Sequence, residues 1–416
     1  MIAQNTSWPL IWDQSIKAFD QQAAIAKMKQ ARDRRPIMLA AIQNCQNTRR
    51  AKRLSRRYMR SASARLACLS AAAQRKFGSA QARDAHAVML VEAQHLANPW
   101  ARGVERMTAI PIEALDGSIK RHVFSVGIID YASQLLAADI ARVLTRPEPT
   151  QFMSAKGRPG FEEWLAEEIS EAELVITTDI PACFDNVLRG VVDDGLPLPQ
   201  RVREEVLYRS MDRALYLHRT HRGLAPIRER IAKVNSSKRG IPQGSAVSAI
   251  ASEVVISRLI RAVQTASPDA RMASYGDNLI ILLRGISAKR SVIHALTSAT
   301  EDCFGSDVIS EFARRIHCGQ PTKSFYFCGR VYRRKGSKLQ VSLDLDRIEY
   351  AMIRRLIDIN EAIRGEDFER LQKLDRGLRG WLREYQKSAD AMEAAFDVIS
   401  VIRSSRLWKE GTVGSK

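Results

Sequence analysis

Ala273-Ser-Tyr-Gly-Asp-Asn-Leu-Ile-Ile-Leu-Leu283 is the stretch on which the reading of this chain turns. Gly276, Asp277 and Asn278 are strong turn formers, and the apolar run behind them predicts the return strand of a β-hairpin. An acid at a hairpin tip is by itself an ordinary turn residue. It gains meaning from a second segment, Leu174-Val-Ile-Thr-Thr-Asp-Ile-Pro-Ala-Cys-Phe-Asp-Asn186, where an apolar strand ends on Asp179. That segment then turns through Pro181 and reaches Phe184, five positions on. A third segment, Arg239-Gly-Ile-Pro-Gln-Gly-Ser245, is a glycine-flanked loop followed by Val247, Ile250, Val254, Val255 and Leu259 at helical spacing. Its glycines allow backbone to approach a ligand closely, and Ser245 is placed to cap the helix start. Carboxylates delivered by distant strand ends suit two-metal phosphoryl transfer, which needs ions roughly 3.5–4 Å apart. Hard cations such as Mg²⁺ take oxygen ligands, and a sheet beneath the turns holds those ligands rigidly.

Composition narrows the partner. The 416 residues carry 65 Lys+Arg against 46 Asp+Glu, a net charge of +19. A surplus that large calls for a polyanion, either nucleic acid or an anionic membrane. No apolar run approaches the roughly 18–20 residues that cross a bilayer, and Met1–Trp12 lacks the basic-then-apolar order of a signal peptide. Nucleic acid therefore leads, with no membrane role and a cytoplasmic location expected. Cys45, Cys68, Cys183, Cys303, Cys318 and Cys328 are scattered and form no C-x-x-C, which predicts neither a zinc knuckle nor a disulfide framework. The histidines show no ligand spacing.

Three textures follow one another along the chain. Residues 1–100 are Ala-, Gln-, Lys- and Arg-rich and predict helix; they hold 17 Lys+Arg against 5 Asp+Glu. Between Arg49 and Arg60 seven cations occur without one acid, and Arg49, Arg53, Arg56 and Arg60 share a single helical stripe. Like charges at that spacing repel, so the stripe is expected to meet a phosphate backbone rather than water alone. Residues 101–345 alternate short β-like runs, such as Arg121–Val126 and Leu174–Ile180, with helical stretches, which predicts an α+β module. Residues 346–416 return to helix, with Ile348, Ala351, Met352, Leu356, Ile359 and Ile363 at three- and four-residue steps.

The strings DIPACFDN, RGIPQGSAVS and SYGDNLIIL, in that order, resemble motifs A, B and C of reverse transcriptases. The likeness is to the bacterial branch related to group II introns. Upstream, IPIEALDGSIKRHVFSVGIIDYASQ is similar to that family's fingers segment, and SAKGRPG resembles the next block. Downstream, FYFCGRVY resembles the primer grip and LDRGLRGWLREY a thumb pattern built on Gly-Trp. The resemblance spans residues 105–385 or so and implies a right-hand polymerase fold: fingers and palm over 101–345, a helical thumb over 346–416, and the basic helical extension over 1–100.

Residue by residue, the resemblance implies that Asp179 and Asp277 are catalytic and hold two Mg²⁺ ions, with Mn²⁺ as a substitute, joined by the Ile180 carbonyl and Asn278. Lys120 and Arg121 would contact the triphosphate of an incoming dNTP, and Gln243 and Gly244 would lie against the nascent base pair. Phe184 matches the steric gate that favours deoxynucleotides, its alternative being a core aromatic. Arg158 joins Arg49, Arg53, Arg56 and Arg60 as a nucleic-acid contact. The implied partners are an RNA template, a dedicated noncoding RNA among the options, and a DNA primer or product; a partner protein or second copy stays open.

Two departures stand out. The family's motif C usually has two adjacent aspartates where this chain has Asp277-Asn278, and asparagine offers an oxygen without a charge. The lysine expected before the primer grip is not marked; Arg314, Arg315 and Lys323 are the cations present. No H-N-H module or cysteine-rich tail follows the thumb pattern, so the expectation is a stand-alone RNA-directed DNA polymerase of the kind tied to phage defence or a small noncoding RNA. The alternatives are an RNA-directed RNA polymerase, in which Gly-Asp-Asn is at home, and a polymerase-fold RNA-binding protein in which Asn278 marks lost chemistry.

Overall fold

The computed structural model describes residues 18–103, 105, 107–113, 119–153, 156–209, 215–216, 238–343, 345–385, 389–405 and 408. The chain divides into two units, each assembled from three segments. The first comprises residues 1–151, 180–266 and 291–314, the second residues 152–179, 267–290 and 315–416.

The first unit opens with helices Ala18–Gln43, Thr48–Arg60 and Ala62–Phe77. Local chemistry sets their ends. The Asn47 side chain accepts the Arg50 N–H at 2.9 Å, and Gly78 closes the third helix at φ +80°, a left-handed position that glycine takes without strain. Thr48–Arg60 buries Ala51, Ser55, Tyr58 and Met59 on one face. That spacing leaves Arg49, Arg53, Arg56 and Arg60 on the solvent side, all exposed.

These helices are tied to helix Ile128–Leu144 by one buried charge. Asp139, 3% exposed, receives two guanidinium bonds from Arg35 at 2.6 and 2.8 Å, the Tyr58 hydroxyl, and the Cys68 thiol at 3.6 Å. Burial pushes the Tyr58 hydroxyl and the Cys68 thiol up, so both keep their protons and donate to the carboxylate. Strands β1 (Thr108–Glu113) and β2 (Ile119–Ser125) pair antiparallel, and β4 (Leu215–Tyr216) joins β1 in parallel. Helix Ser248–Ala266 buries Ile250, Val254, Val255 and Leu259 of the expected helical series.

The second unit holds the sheet that carries the acids. Its strands β3 (Leu174–Asp179), β5 (Arg271–Tyr275), β6 (Asn278–Leu283) and β7 (His317–Gly319) lie in the order β5-β6-β3-β7, antiparallel throughout. Helix Gly157–Glu168 covers it through Phe161 and Leu165, which pack with Val175, Ala273, Ile280, Phe327 and Tyr332. A second antiparallel sheet follows, β8 (Phe325–Phe327), β9 (Arg330–Lys335) and β10 (Lys338–Leu343). Three helices, Leu345–Arg364, Phe368–Tyr385 and Ala389–Ser404, then share a core of Ile348, Met352, Ile359, Leu371, Leu378, Val398 and Ile402. Ala351, Leu356 and Ile363 pack partly buried against it, as their spacing implies.

At the start of Ile128–Leu144, Glu105 and Asp130 cap one another. The Asp130 N–H donates to Glu105 at 2.7 Å and the Glu105 N–H to Asp130 at 3.2 Å. Burial pushes the Glu105 carboxyl up to about 7 despite these backbone donors. The folded protein therefore keeps a proton that the unfolded chain releases above its ordinary 4.5, so stability falls as pH rises from there through 7. Glu105→Gln is expected to stabilise the protein by roughly 1–2 kcal/mol at about pH 8 and by little at about pH 5. Urea melts of both proteins at the two pH values test this; an equal effect at both would show that Glu105 is ionised in the fold.

Candidate active site

The hairpin expected from Gly276-Asp277-Asn278 is present. Strands β5 and β6 pair with Tyr275 opposite Asn278, so Gly276 and Asp277 alone form the turn. Gly276 takes φ +66° and Asp277 is not among the positive-φ residues, the pattern of a turn with glycine required at its first central position. Neighbouring β3 ends with Asp179 directly opposite Asn278. Paired strands lie ~4.8 Å apart, so the register alone brings Asp179 to the strand that begins beside Asp277. Both side chains are only half-buried.

Asn278 acts on its neighbour. Its amide donates to Asp277 Oδ1 at 3.2 Å and to the Tyr275 carbonyl at 3.4 Å. An aspartate here would place a third negative charge beside two others; the amide instead supports the Asp277 carboxylate. On the far edge of β3, the pairing of Thr177 with His317 continues toward Arg315, whose guanidinium forms an ion pair with Asp179.

Arg158 lies close by in the same unit. It donates to the Cys328 carbonyl at 2.8 Å and stacks over the Tyr275 ring at 5.4 Å. Cys328 and Gly329 both take positive φ, +48° and +84°, in the two-residue turn between β8 and β9. Arg158 thus links the tip of the FYFCGRVY hairpin to the strand that delivers Asp277. Burial pushes the Cys328 thiol up to about 12, with the Arg158 charge opposing and the Asp277 charge adding to the rise, so this cysteine is unreactive at neutral pH.

In the first unit, the glycine-rich loop is tied on two sides. The Gly240 N–H donates to the Val187 carbonyl at 2.7 Å and the Ile241 N–H to the Phe184 carbonyl at 2.8 Å. The Phe124 N–H at the end of β2 donates to the Gln243 carbonyl at 2.7 Å. Gly244 sits at φ +102°, and a Cβ there would lie 2.6 Å from the Phe124 carbonyl oxygen, so conformation and space both demand glycine. Ser245 does not cap the helix, which begins only at Ser248; its hydroxyl accepts the Val247 N–H at 3.3 Å and closes the turn before it.

Phe184 is half-buried on the short helix Cys183–Asn186, whose preceding residue Ala182 takes a left-handed φ of +42°. The Asn186 amide holds that turn by donating to the Pro181 carbonyl at 2.8 Å. Ile180, next after Asp179, is 1% exposed. Arg121 is exposed on β2, and Lys120 precedes it there, its side chain outside the described residues. Arg53, Arg56, Arg57 and Arg60 together with Ser61 line one open groove of about 490 Å³, and Arg60 stacks over Trp100. The sequence singled out neither the Arg315–Asp179 pair nor the contact of Arg158 with Cys328, since both join segments far apart in the chain.

The donors beside the hairpin, two carboxylates and one amide oxygen, are all oxygen and fit a hard divalent cation in kind. Among the described residues, no cluster of three or more His, Cys, Asp or Glu is positioned to hold a metal. All six cysteines are free thiols. No helix among the described residues is long and apolar enough to cross a membrane.

No family model and no curated protein matches the sequence. Among solved structures, the chain is similar to apo telomerase from Candida tropicalis truncated from its C-terminal domain, at 13% identity and a TM-score of 0.36, covering 58% of this chain and 55% of that one. It is also similar to telomerase from Candida albicans in complex with a TWJ fragment of telomeric RNA, at 10% identity and a TM-score of 0.34, covering 74% and 65%. The chain thus spans less than two thirds of either structure. Overlap at those scores assigns neither fold nor activity.

Asn278→Asp separates the amide's two possible contributions. The substitution removes a hydrogen bond to Asp277 and adds a like charge, so thermal stability in EDTA should fall. Added Mg²⁺ should raise Tm more in the variant than in the wild type, since tenfold tighter binding is worth about 1.4 kcal/mol at saturation. Equal Mg²⁺-induced shifts would count against the Asp179–Asp277 pair as a cation site.

Proposed function

We propose that this chain is an RNA-directed DNA polymerase of the reverse-transcriptase type, with a right-hand fold of fingers, palm and thumb. One observation carries the reading: the β3–β6 register that sets Asp179 opposite Asn278, beside a two-residue turn holding Asp277. Carboxylates brought together on adjacent antiparallel strand ends suit two-metal nucleotidyl transfer, which needs oxygen ligands held rigidly at one point. Asp179 and Asp277 would hold the ions, with Asn278 and the Ile180 carbonyl as neutral oxygen ligands. When bound, Mg²⁺ or Mn²⁺ supplies activation of the primer hydroxyl and neutralisation of the leaving pyrophosphate.

The remaining residues bind and orient. Arg121 and Lys120, on β2, would take the triphosphate of the dNTP, and Gln243 and Gly244 would lie against the nascent base pair. Phe184 would exclude the 2′-hydroxyl, which favours deoxynucleotides over the RNA-polymerase reading. Arg158, held by Cys328 and Tyr275, would keep the two hairpins of its unit together near the nucleic acid. The exposed cations Arg49, Arg53, Arg56 and Arg60 suit an RNA backbone, the template or a dedicated noncoding RNA. The motif likeness to the bacterial branch is the ground for a stand-alone cytoplasmic enzyme with a role such as anti-phage defence.

Primer extension on an RNA template tests the assignment. Asp179→Ala and Asp277→Ala should each abolish incorporation of dNTPs while leaving the melting profile near that of the wild type; synthesis at the wild-type rate by either would overturn it. Phe184→Val should raise NTP use relative to dNTP use by roughly five- to 150-fold, the equivalent of relieving 1–3 kcal/mol of overpacking. Wild-type protein that accepts both sugars equally would favour RNA-directed RNA synthesis instead.

The basic stripe has its own test. Each phosphate contact with a single strand contributes about −0.7 to the slope of log affinity against log salt. Replacing Arg49, Arg53, Arg56 and Arg60 with Gln should flatten that slope by up to about 3 and weaken binding with little regard to sequence. An unchanged slope would show that the stripe does not contact the nucleic acid.

A further inference from the structure

One end of the arginine stripe differs from the rest. Arg60, the last residue of helix Thr48–Arg60, lies over the Trp100 ring, 5.4 Å from its centroid. Arg60 is exposed and lines the open groove of about 490 Å³ with Arg53, Arg56 and Arg57. Its guanidinium therefore has the indole on one side and the groove on the other. Both partners are anchored. The helix end is held from beneath by Tyr58 and Met59, both buried, and the Tyr58 hydroxyl is bonded to Asp139. The segment that carries Trp100 is tied back by Arg65, which donates to the Met59 carbonyl at 3.2 Å and the His95 carbonyl at 3.4 Å. The Asn98 side chain then accepts the Trp100 N–H at 3.2 Å. Burial and the Arg60 charge both lower Arg65, so positive potential accumulates at this end of the stripe.

We propose that Arg60 and Trp100 form a platform for one unpaired base of the bound RNA, at the end of a track in which Arg49, Arg53 and Arg56 take phosphates. The inference rests on the stripe being a nucleic-acid contact, as proposed above. It adds that this surface reads an unstacked base as well as the charge of the chain.

Every nucleobase has a flat π-face, and single-stranded RNA is commonly held by stacking its bases on aromatic rings or guanidinium planes. A guanidinium already seated over an indole gives up little rotamer freedom when a base arrives on its other side. Among the described residues, no ring lies against Arg49, Arg53 or Arg56, so those cations meet the chain through its phosphates alone. Charge by itself does not separate paired from unpaired RNA, because both present a phosphate backbone. A base platform does, since a helix keeps its bases within the stack. The groove is thus built for a loop, a bulge or a free strand end rather than for a continuous duplex.

The test compares two fluorescein-labelled oligomers of equal length, oligo(rU) and an abasic ribose-phosphate chain, by anisotropy on the full chain across a salt series. The proteins are the wild type, Trp100→Leu, Trp100→Phe and Arg60→Lys, each checked for a native melting profile. The wild type should bind oligo(rU) roughly fivefold or more tightly than the abasic chain, the gain that one base stack supplies. Trp100→Leu and Arg60→Lys should each lose most of that preference yet keep the slope of log affinity against log salt, since neither removes a cation. Trp100→Phe keeps a ring and should retain part of the preference. Arg60→Lys, at an exposed position, decides the matter even if Trp100→Leu does not fold. Equal wild-type binding of the two oligomers, or a preference that survives Arg60→Lys, would overturn the platform and leave the stripe as a phosphate contact. A slope unchanged when Arg49, Arg53 and Arg56 are replaced with Gln would overturn the stripe itself, and the platform with it.

Discussion

The antiparallel pairing of β3 with β6 is the constraint on which the candidate site depends. Side chains alternate along a strand with a period of two, so a one-residue slip would turn every buried side chain of β3 toward the other face. Val175 and Ile176 on β3, with Ile280, Ile281 and Leu282 on β6, are at most 1% exposed. Both faces of the strand pair are packed, and the register observed ends with Asp179 opposite Asn278. The position of a charged, half-exposed pair is therefore decided by apolar residues several positions away.

The glycine loop obeys a different constraint in the other unit. Its place is set by backbone: Gly244 approaches the Phe124 carbonyl so closely that no Cβ fits, and hydrogen bonds to Phe124, Phe184 and Val187 hold it from two sides. Such a loop presents main-chain atoms without the bulk or motion of side chains. The segment carrying Phe184 is held by the same bonds. The Ala182 backbone is strained at a left-handed φ, and the Asn186–Pro181 hydrogen bond keeps it there.

Charge is partitioned along similar lines. Asp139 buries its carboxylate only because Arg35, Tyr58 and Cys68 all donate to it, and removing one donor would strand a desolvated charge. The arginines of Thr48–Arg60 show the opposite economy. They carry no ion pair within the described residues, and four of them crowd one groove, where mutual repulsion favours any polyanion that enters. The same helix thus supplies Tyr58 to a closed polar cluster and a cationic face to solvent.

Local order was legible in the sequence. The apolar runs ending in Asp179 and starting after Asp277, the turn at Gly276, the loop glycines and the helical stripes of 48–60 and 345–364 all follow from periodicity and turn chemistry, which act over a few residues. The choice of residue type at Gly244 was visible too, though its reason, the approach of the Phe124 carbonyl, was not. What only the tertiary structure decided are the pairings between segments far apart in the chain: Asp179 with Asn278 and Arg315, Arg158 with Cys328, and Arg35, Tyr58 and Cys68 with Asp139. Ser245 shows the limit from the other side, since a good capping residue is set aside when the helix after it starts three residues late. The physical reason is common to all of them. Backbone preference is a property of neighbouring residues, whereas register and side-chain partners are selected by the packing energy of a whole core, which no short stretch of sequence contains.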